Sequence, residues 1–277
     1  MTLRRSALAA FLALAAAASP AAAASSAWSD APSARLRLVA PGGPPTADGS
    51  LKAAIEIELQ PGWKTYWRSP GEAGMPPEID FAASSNLAGA RVDFPAPVRF
   101  VDGGSTSAGY SGAVVLPVAV TPVDPALPVM LAVKVDYGIC REICVPATGE
   151  ARVMLSAATA PDPAVEATVA AARAQVPQPA DPAAGLAITA VAPDPTAEAP
   201  GTVLVTARLA DVDAAADLFA EGPGAATPRM PALVGRDGAV ATWRVVLDRY
   251  HPAPAGAPLR LTLVNGPRSV ESFAPLP

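Results

Sequence analysis

Short alternating runs of apolar and polar residues, broken every few positions by proline, glycine or aspartate, are what most constrain the fold of this chain. Leu51, Ile55, Ile57 and Leu59 fall on one face and Lys52, Glu56 and Glu58 on the other, the pattern of a half-buried strand. Similar runs occur at 35–39, 114–120, 129–135, 151–155, 202–209, 240–247 and 259–264. The 33 prolines of the chain count against long helices, because proline lacks the amide hydrogen and clashes with the preceding turn. They are tolerated at strand edges and turns. Many short strands separated by turn residues predict an all-β chain of sandwich architecture.

One segment departs from this pattern. Asp162 is placed to cap a helix with Pro163 in its first turn, and Val165, Val169, Ala172 and Val176 follow at helical spacing. The spacing predicts a helix over 163–176, ended by Pro177. Residues 178–185, rich in proline and alanine, read as a linker. The expected organisation is a first sandwich over 28–158, a helix and linker over 159–185, and a second sandwich over 186–277.

The N-terminus predicts export. Arg4 and Arg5 precede an apolar run over 7–18, and Ala22-Ala23-Ala24 fits a cleavage site of small residues. Residues 1–24 therefore read as a signal peptide. The run is too short for a membrane span of about 20 residues. Charges or prolines interrupt every later apolar stretch, so the mature chain is not expected to span a membrane. Without residues 1–24 it carries 18 basic against 25 acidic residues. That balance argues against a nucleic-acid partner, whose phosphates require clustered Lys and Arg.

The chain has two cysteines, Cys140 and Cys144, in the run Tyr137-Gly138-Ile139-Cys140-Arg141-Glu142-Ile143-Cys144-Val145-Pro146. In an oxidising compartment two thiols this close pair if geometry allows. Four residues of extended strand span about 13 Å, beyond the roughly 4.4–6.8 Å between Cα atoms that a disulfide permits, so the chain must turn between them. Three readings stay open on the residues alone. A structural staple closing so short a loop contributes only about 2 kcal/mol. A zinc site wants four ligands, and the single histidine, His251, is far away in sequence; copper(I), which suits soft sulfur ligands, remains an alternative. A short, exposed disulfide is also the labile kind that exchanges. Arg141 favours a thiolate and Glu142 opposes it. No other chemistry emerges: the chain has no G-x-S-x-G elbow for His251 to serve. Gly103-Gly104 lacks the spacing of a phosphate loop, and Glu56 and Glu58 lie on a solvent face. No cofactor or metal is expected.

The segment Tyr137 to Pro146 resembles the active-site strand of the DsbD N-terminal domain family, and is closer still to its ScsB relatives, which are linked to copper tolerance and share the C-x3-C spacing. Pro61-Gly62-Trp63-Lys64-Thr65-Tyr66-Trp67-Arg68-Ser69-Pro70-Gly71 resembles the family's aromatic strand. Phe94-Pro95-Ala96-Pro97-Val98-Arg99-Phe100, then Gly109-Tyr110-Ser111-Gly112 and Leu116-Pro117-Val118, resemble its next block. The likeness runs over about residues 50–155, with a weaker echo at Asp217-Leu218-Phe219-Ala220-Glu221-Gly222-Pro223.

The resemblance implies immunoglobulin-like sandwiches and a periplasmic location. It implies Cys140 and Cys144 as a redox pair passing electrons from a membrane-embedded thiol reductase to oxidised periplasmic thioredoxin-like proteins, with Cys144 as the attacking sulfur. Whether such exchange counts as enzymatic protein-disulfide reduction is left open. Trp63 and Tyr66 match aromatic positions beside the pair, and Tyr137, which opens the resembling strand, is a further supporting candidate, though Trp63 and Trp67 read equally well as core. A loop carrying an aromatic shields the cysteines in the family; here 102–107, beginning at Asp102, has none. It is expected to lie close to the pair and cover it poorly, unless Phe100 or Tyr110 supplies the shield. Family members continue into a membrane domain and a thioredoxin-like domain; neither is expected in this chain, so a separate partner is expected to supply electrons.

Overall fold

The computed structural model describes residues 25–71, 74–102, 104–198, 201–223, 228–247 and 253–277. The proposed signal peptide and His251 lie outside the described residues. The strands in chain order are β1 (Ser29–Ala31), β2 (Ala34–Val39), β3 (Leu51–Leu59), β4 (Lys64–Tyr66), β5 (Glu78–Asp80), β6 (Leu87–Val92), β7 (Val98–Asp102), β8 (Ser105–Ser111), β9 (Ala113–Pro122), β10 (Val129–Cys140) and β11 (Cys144–Leu155). After a helix, α1 (Pro163–Ala174), come β12 (Gln178–Pro179), β13 (Ala187–Pro193), β14 (Thr202–Arg208), β15 (Ala216–Glu221), β16 (Ala232–Asp237), β17 (Val240–Val246), β18 (Pro258–Asn265) and β19 (Arg268–Pro275).

They form two pairs of sheets. In the first half, the sheet β1-β2-β3-β9-β6 faces the sheet β11-β10-β4-β8-β7, with β5 also paired to β10. In the second half, β12-β19-β18-β15 faces β13-β14-β17-β16. Strand alternation builds each core. Leu36 and Leu38 of β2, Ile55 and Ile57 of β3, and Val133, Val135, Tyr137 and Ile139 of β10 point into the first core. Leu218, Trp243, Leu261 and Leu263 point into the second. On the other face of β2 and β3, Arg37 pairs with Glu56 at 2.6 Å and Arg35 with Glu58 at 2.5 Å.

Asp162 caps α1 as expected, accepting from the amides of Ala164 at 2.9 Å and Val165 at 3.3 Å. The helix ends at Ala174, two residues short of the predicted end. It lays Val169 on Val39 and Ala54, covering an outer patch of the first sandwich. The expected linker is partly ordered into the second sandwich. Gln178 and Pro179 run parallel to Val270 and Glu271 of β19, and Asp181 caps a short 3-10 turn over Pro182–Ala184.

The two sandwiches touch. Phe219 of β15 is buried with the first core, and its ring meets Trp67 edge-on at 5.7 Å. Arg68 reaches Glu221 and Glu271, both at 2.8 Å, and Arg99 reaches Asp217 at 2.6 Å.

Candidate functional site

The longest hairpin of the first sandwich carries the cysteines at its tip. β10 and β11 stay in antiparallel register from Val129↔Leu155 to Cys140↔Cys144. The turn is therefore only Arg141, Glu142 and Ile143, and the two Cα atoms stand 4.1 Å apart, joined by a disulfide. Because Ile139 faces the core, Cys140 and Gly138 fall on the opposite face of the sheet. Cys140 is 7 % exposed, whereas Cys144 and the three turn residues are exposed. Arg141 and Glu142 are a loose, solvent-facing pair at 3.8 Å.

Tyr66 is the side chain brought to the pair. β4 lies between β10 and β8, with Lys64 opposite Cys140 and Thr65 opposite Ile139. Thr65 turns inward and donates its hydroxyl to the Gly138 carbonyl at 2.8 Å. Tyr66 therefore lies on the cysteine side, buried, with its hydroxyl 2.9 Å from Cys144 Sγ. Its ring lies across Gly138, where a Cβ would stand 2.8 Å from Cδ2. Gly74 approaches the other edge, where a Cβ would stand 2.8 Å from Cδ1. Burial holds the Tyr66 phenol above its ordinary pKa, so it keeps its proton and can donate to the sulfur. The result is an open cleft of about 250 Å³ lined by Tyr66, Gly74, Met75, Gly138, Cys144, Val145 and Pro146. Ile143, 74 % exposed, and Met75, 40 % exposed, give its surroundings an apolar rim.

The remaining sequence candidates are placed elsewhere. Tyr137 is three residues from Cys140 on a strand and so points to the opposite face; it is fully buried in the first core. Tyr110 is inward as well, donating its hydroxyl to the Pro95 carbonyl at 2.8 Å, and burial pushes its pKa well up. Neither shields the sulfurs. Trp67 is core, and Trp63 is half-buried against that core.

Phe100 stands beside Lys64, whose Nζ lies 5.0 Å from the ring centre. Burial lowers the Lys64 pKa. Phe100 does not line the cleft at Cys144. The expected cover loop is a hairpin instead: β7 and β8 pair as far as Asp102↔Ser105, so Asp102 ends a strand. Ser111, at the other end of β8, is the residue level with Lys64 and hence with Cys140. The hairpin tip is about 20 Å further along the strand. The expectation that 102–107 lies against the pair fails because Asp102, Ser105, Thr106 and Ser107 are used in the ladder. Gly74 and Met75, which no motif marked, occupy the side of the cleft instead.

Among the described residues, no helix is long and apolar enough to cross a membrane, and no cluster of three His, Cys, Asp or Glu side chains could hold a metal ion.

Residues 41–156, which contain both cysteines and Tyr66, match the family described as thiol:disulfide interchange protein DsbD, N-terminal. The chain is also similar to the crystal structure of the N-terminal periplasmic domain of ScsB from Proteus mirabilis. The two share 23% identity and a TM-score of 0.72, over 92% of this chain and 99% of that one; at that identity the likeness speaks for the fold, here of both sandwiches. A conserved domain protein from Bacillus anthracis, 9% identical over 86% of this chain and 75% of that one, has a TM-score of 0.23 and carries no weight. No curated protein matches significantly. Residues 41–156 are thus similar in sequence to the DsbD N-terminal domain family, and the rest of the chain shares only the fold of the ScsB domain.

Proposed function

We propose that this protein works in the periplasm as a thiol–disulfide exchange carrier, taking two electrons from a membrane-embedded thiol reductase and passing them to oxidised thioredoxin-like proteins. One observation carries the reading: Cys144 is exposed in a cleft with the Tyr66 hydroxyl 2.9 Å from its sulfur, while Cys140 is buried behind it. An attacking sulfur must be reachable and stabilised as a thiolate, and a resolving sulfur need only be adjacent.

In the reduced protein, the Cys144 thiolate attacks one sulfur of the partner's disulfide. A mixed disulfide forms, and the partner's second sulfur leaves as a thiolate and takes a proton. The Cys140 thiolate then attacks Cys144 Sγ, restoring the Cys140–Cys144 disulfide and releasing the partner's first sulfur as a thiol. The partner gains two electrons and two protons. The reductase reverses these steps with its own dithiol. Tyr66 donates to Cys144 whenever that sulfur is a thiolate, as attacker or as leaving group. Ile143, Met75, Val145 and Pro146 offer the apolar surface against which a partner docks.

Met75 favours a second reading. Its thioether-bearing side chain lines the cleft with Cys144, and two thiolates with one thioether are a soft set suited to copper(I).

Trapping separates the two. Cys140→Ser, expressed with export, is expected to accumulate a mixed disulfide through Cys144 with a periplasmic protein, and Cys144→Ser is not. The reverse pattern would exchange the roles of the cysteines. No trap with either variant, together with tight copper(I) binding that Met75→Leu weakens, would establish the second reading.

A further inference from the structure

The chain leaving β4 is gripped by the second sandwich before it reaches the cysteine cleft. Trp67, fully buried, meets Phe219 edge-on. Arg68 is four-fifths buried and donates to Glu221 from Nε at 3.0 Å and from Nη2 at 2.8 Å, and to Glu271 from Nη2 at 2.8 Å. Arg260 of β18 lies 2.8 Å from Glu271 on the same cluster. The Pro70 carbonyl accepts from the Ala108 amide at 3.0 Å, and Gly71, at φ +86°, lies so close to Met230 that a Cβ there would stand 2.8 Å from Met230 Cγ. Three residues later, Gly74 and Met75 stand against Tyr66 and Gly138. The ring that brings the phenol to Cys144 is thus confined on one side by β10 and on the other by Gly74, which itself packs on Pro70 of the gripped stretch: a Cβ at Gly74 would stand 2.3 Å from Pro70 Cβ.

We infer that the second sandwich positions the cysteine site: Arg68 and Met230 are positioning residues that, with Glu221 and Glu271, fix the backbone from Trp67 to Gly71 so that Gly74 and Met75 press Tyr66 onto Cys144. This rests on the exchange reading above and assigns the second sandwich a part in it. The contact is specific to this segment. Arg99–Asp217 also ties the two sandwiches, at 2.6 Å, but it starts from β7 and reaches the Trp67 segment only indirectly, through the Phe219 ring 5.8 Å from Arg99.

The test uses the full chain with Cys140→Ser, so that one thiol titrates, and reads the pH midpoint of Cys144 alkylation by iodoacetamide. Tyr66→Phe is expected to raise that midpoint by about one unit or more, the loss of a hydrogen bond to a thiolate. Met230→Ala and Arg68→Ala are each expected to raise it by at least roughly half a unit, and Asp217→Asn to leave it unchanged. Added to Tyr66→Phe, Met230→Ala should produce no further shift, a result that simple loss of stability does not give. Where Arg68→Ala fails to fold, with Glu221 and Glu271 left to Arg260 alone, Met230→Ala decides. A shift with Tyr66→Phe but none with Met230→Ala or a folded Arg68→Ala overturns the positioning role and leaves the exchange reading standing. No shift with Tyr66→Phe removes the hydrogen bond from the mechanism, and the positioning role with it. An equal shift from Asp217→Asn would also overturn the assignment, because any loosening of the interface would then move the site.

Discussion

Tyr66 reaches Cys144 across a strand position that has no side chain. Gly138 is needed for that close approach: an alanine would place its Cβ 2.8 Å from Tyr66 Cδ2 and 3.1 Å from Met75 Cβ. A hydrogen bond to a charged sulfur is worth about 1.5–3 kcal/mol, so Tyr66→Phe should raise the Cys144 thiol pKa by about one to two units. Fewer thiolates at neutral pH are partly offset by a more nucleophilic one, and exchange with a model disulfide should slow by roughly three- to tenfold. Gly138→Ala should slow exchange in the same direction by pushing the ring aside, and should also destabilise the fold by about 1–3 kcal/mol through overpacking. Stopped-flow exchange and denaturant melts read the two effects separately. An unaltered rate in Tyr66→Phe would show that the phenol only packs.

Among the elements, the turn joining β2 to β3 offers a pH test. Asp48 accepts from Thr46 Oγ1 at 2.5 Å and from Ser50 Oγ at 2.8 Å, and these hydrogen bonds, Thr46 first, hold its pKa at about 2. A carboxyl depressed in the folded state stabilises above its unfolded value of about 4 and loses that contribution as pH falls through the folded one. Asp48→Asn should therefore flatten the decline in stability between about pH 4 and pH 2, measured by thermal melts across that range; an unchanged slope would contradict the assignment. The same level of structure shows what the sequence could convey. The alternating runs marked β2, β3, β9, β10, β11, β14, β17 and β18, because one buried face writes a period of two into the residues. β6 and β8 escaped notice: Leu87–Val92 and Ser105–Ser111 are dominated by Gly, Ala and Ser, which carry little periodic signal. The loop at 102–107 looked free because its glycines suggested flexibility, yet cross-strand pairing takes up Asp102, Ser105, Thr106 and Ser107. The motifs of the chain pointed to the cysteine pair and to Tyr66, whose hydroxyl the structure places 2.9 Å from Cys144 Sγ. Gly74 and Met75 carried no such mark, since an irregular segment reaches the cleft only through long-range packing.

At the scale of the molecule, the disulfide is a minor part of what holds the fold. Register pairing carries β10 and β11 together through their whole length, and a loop this short contributes only about 2 kcal/mol when closed. Oxidised and reduced protein should thus share one fold, with melting temperatures less than about 8 °C apart. A larger gap, or loss of native circular dichroism on reduction, would mark the pair as a staple. A carrier must keep its shape in both states, since each partner meets a different one. The central claim is that Cys140–Cys144 gives and takes electrons, and equilibration of the pair against glutathione or dithiothreitol redox buffers measures this most directly. An exposed disulfide in a tight turn should have a reduction potential well above the roughly −300 mV below which structural disulfides resist reduction. A potential below that value, with the folded protein resistant to dithiol reductants, would contradict the account.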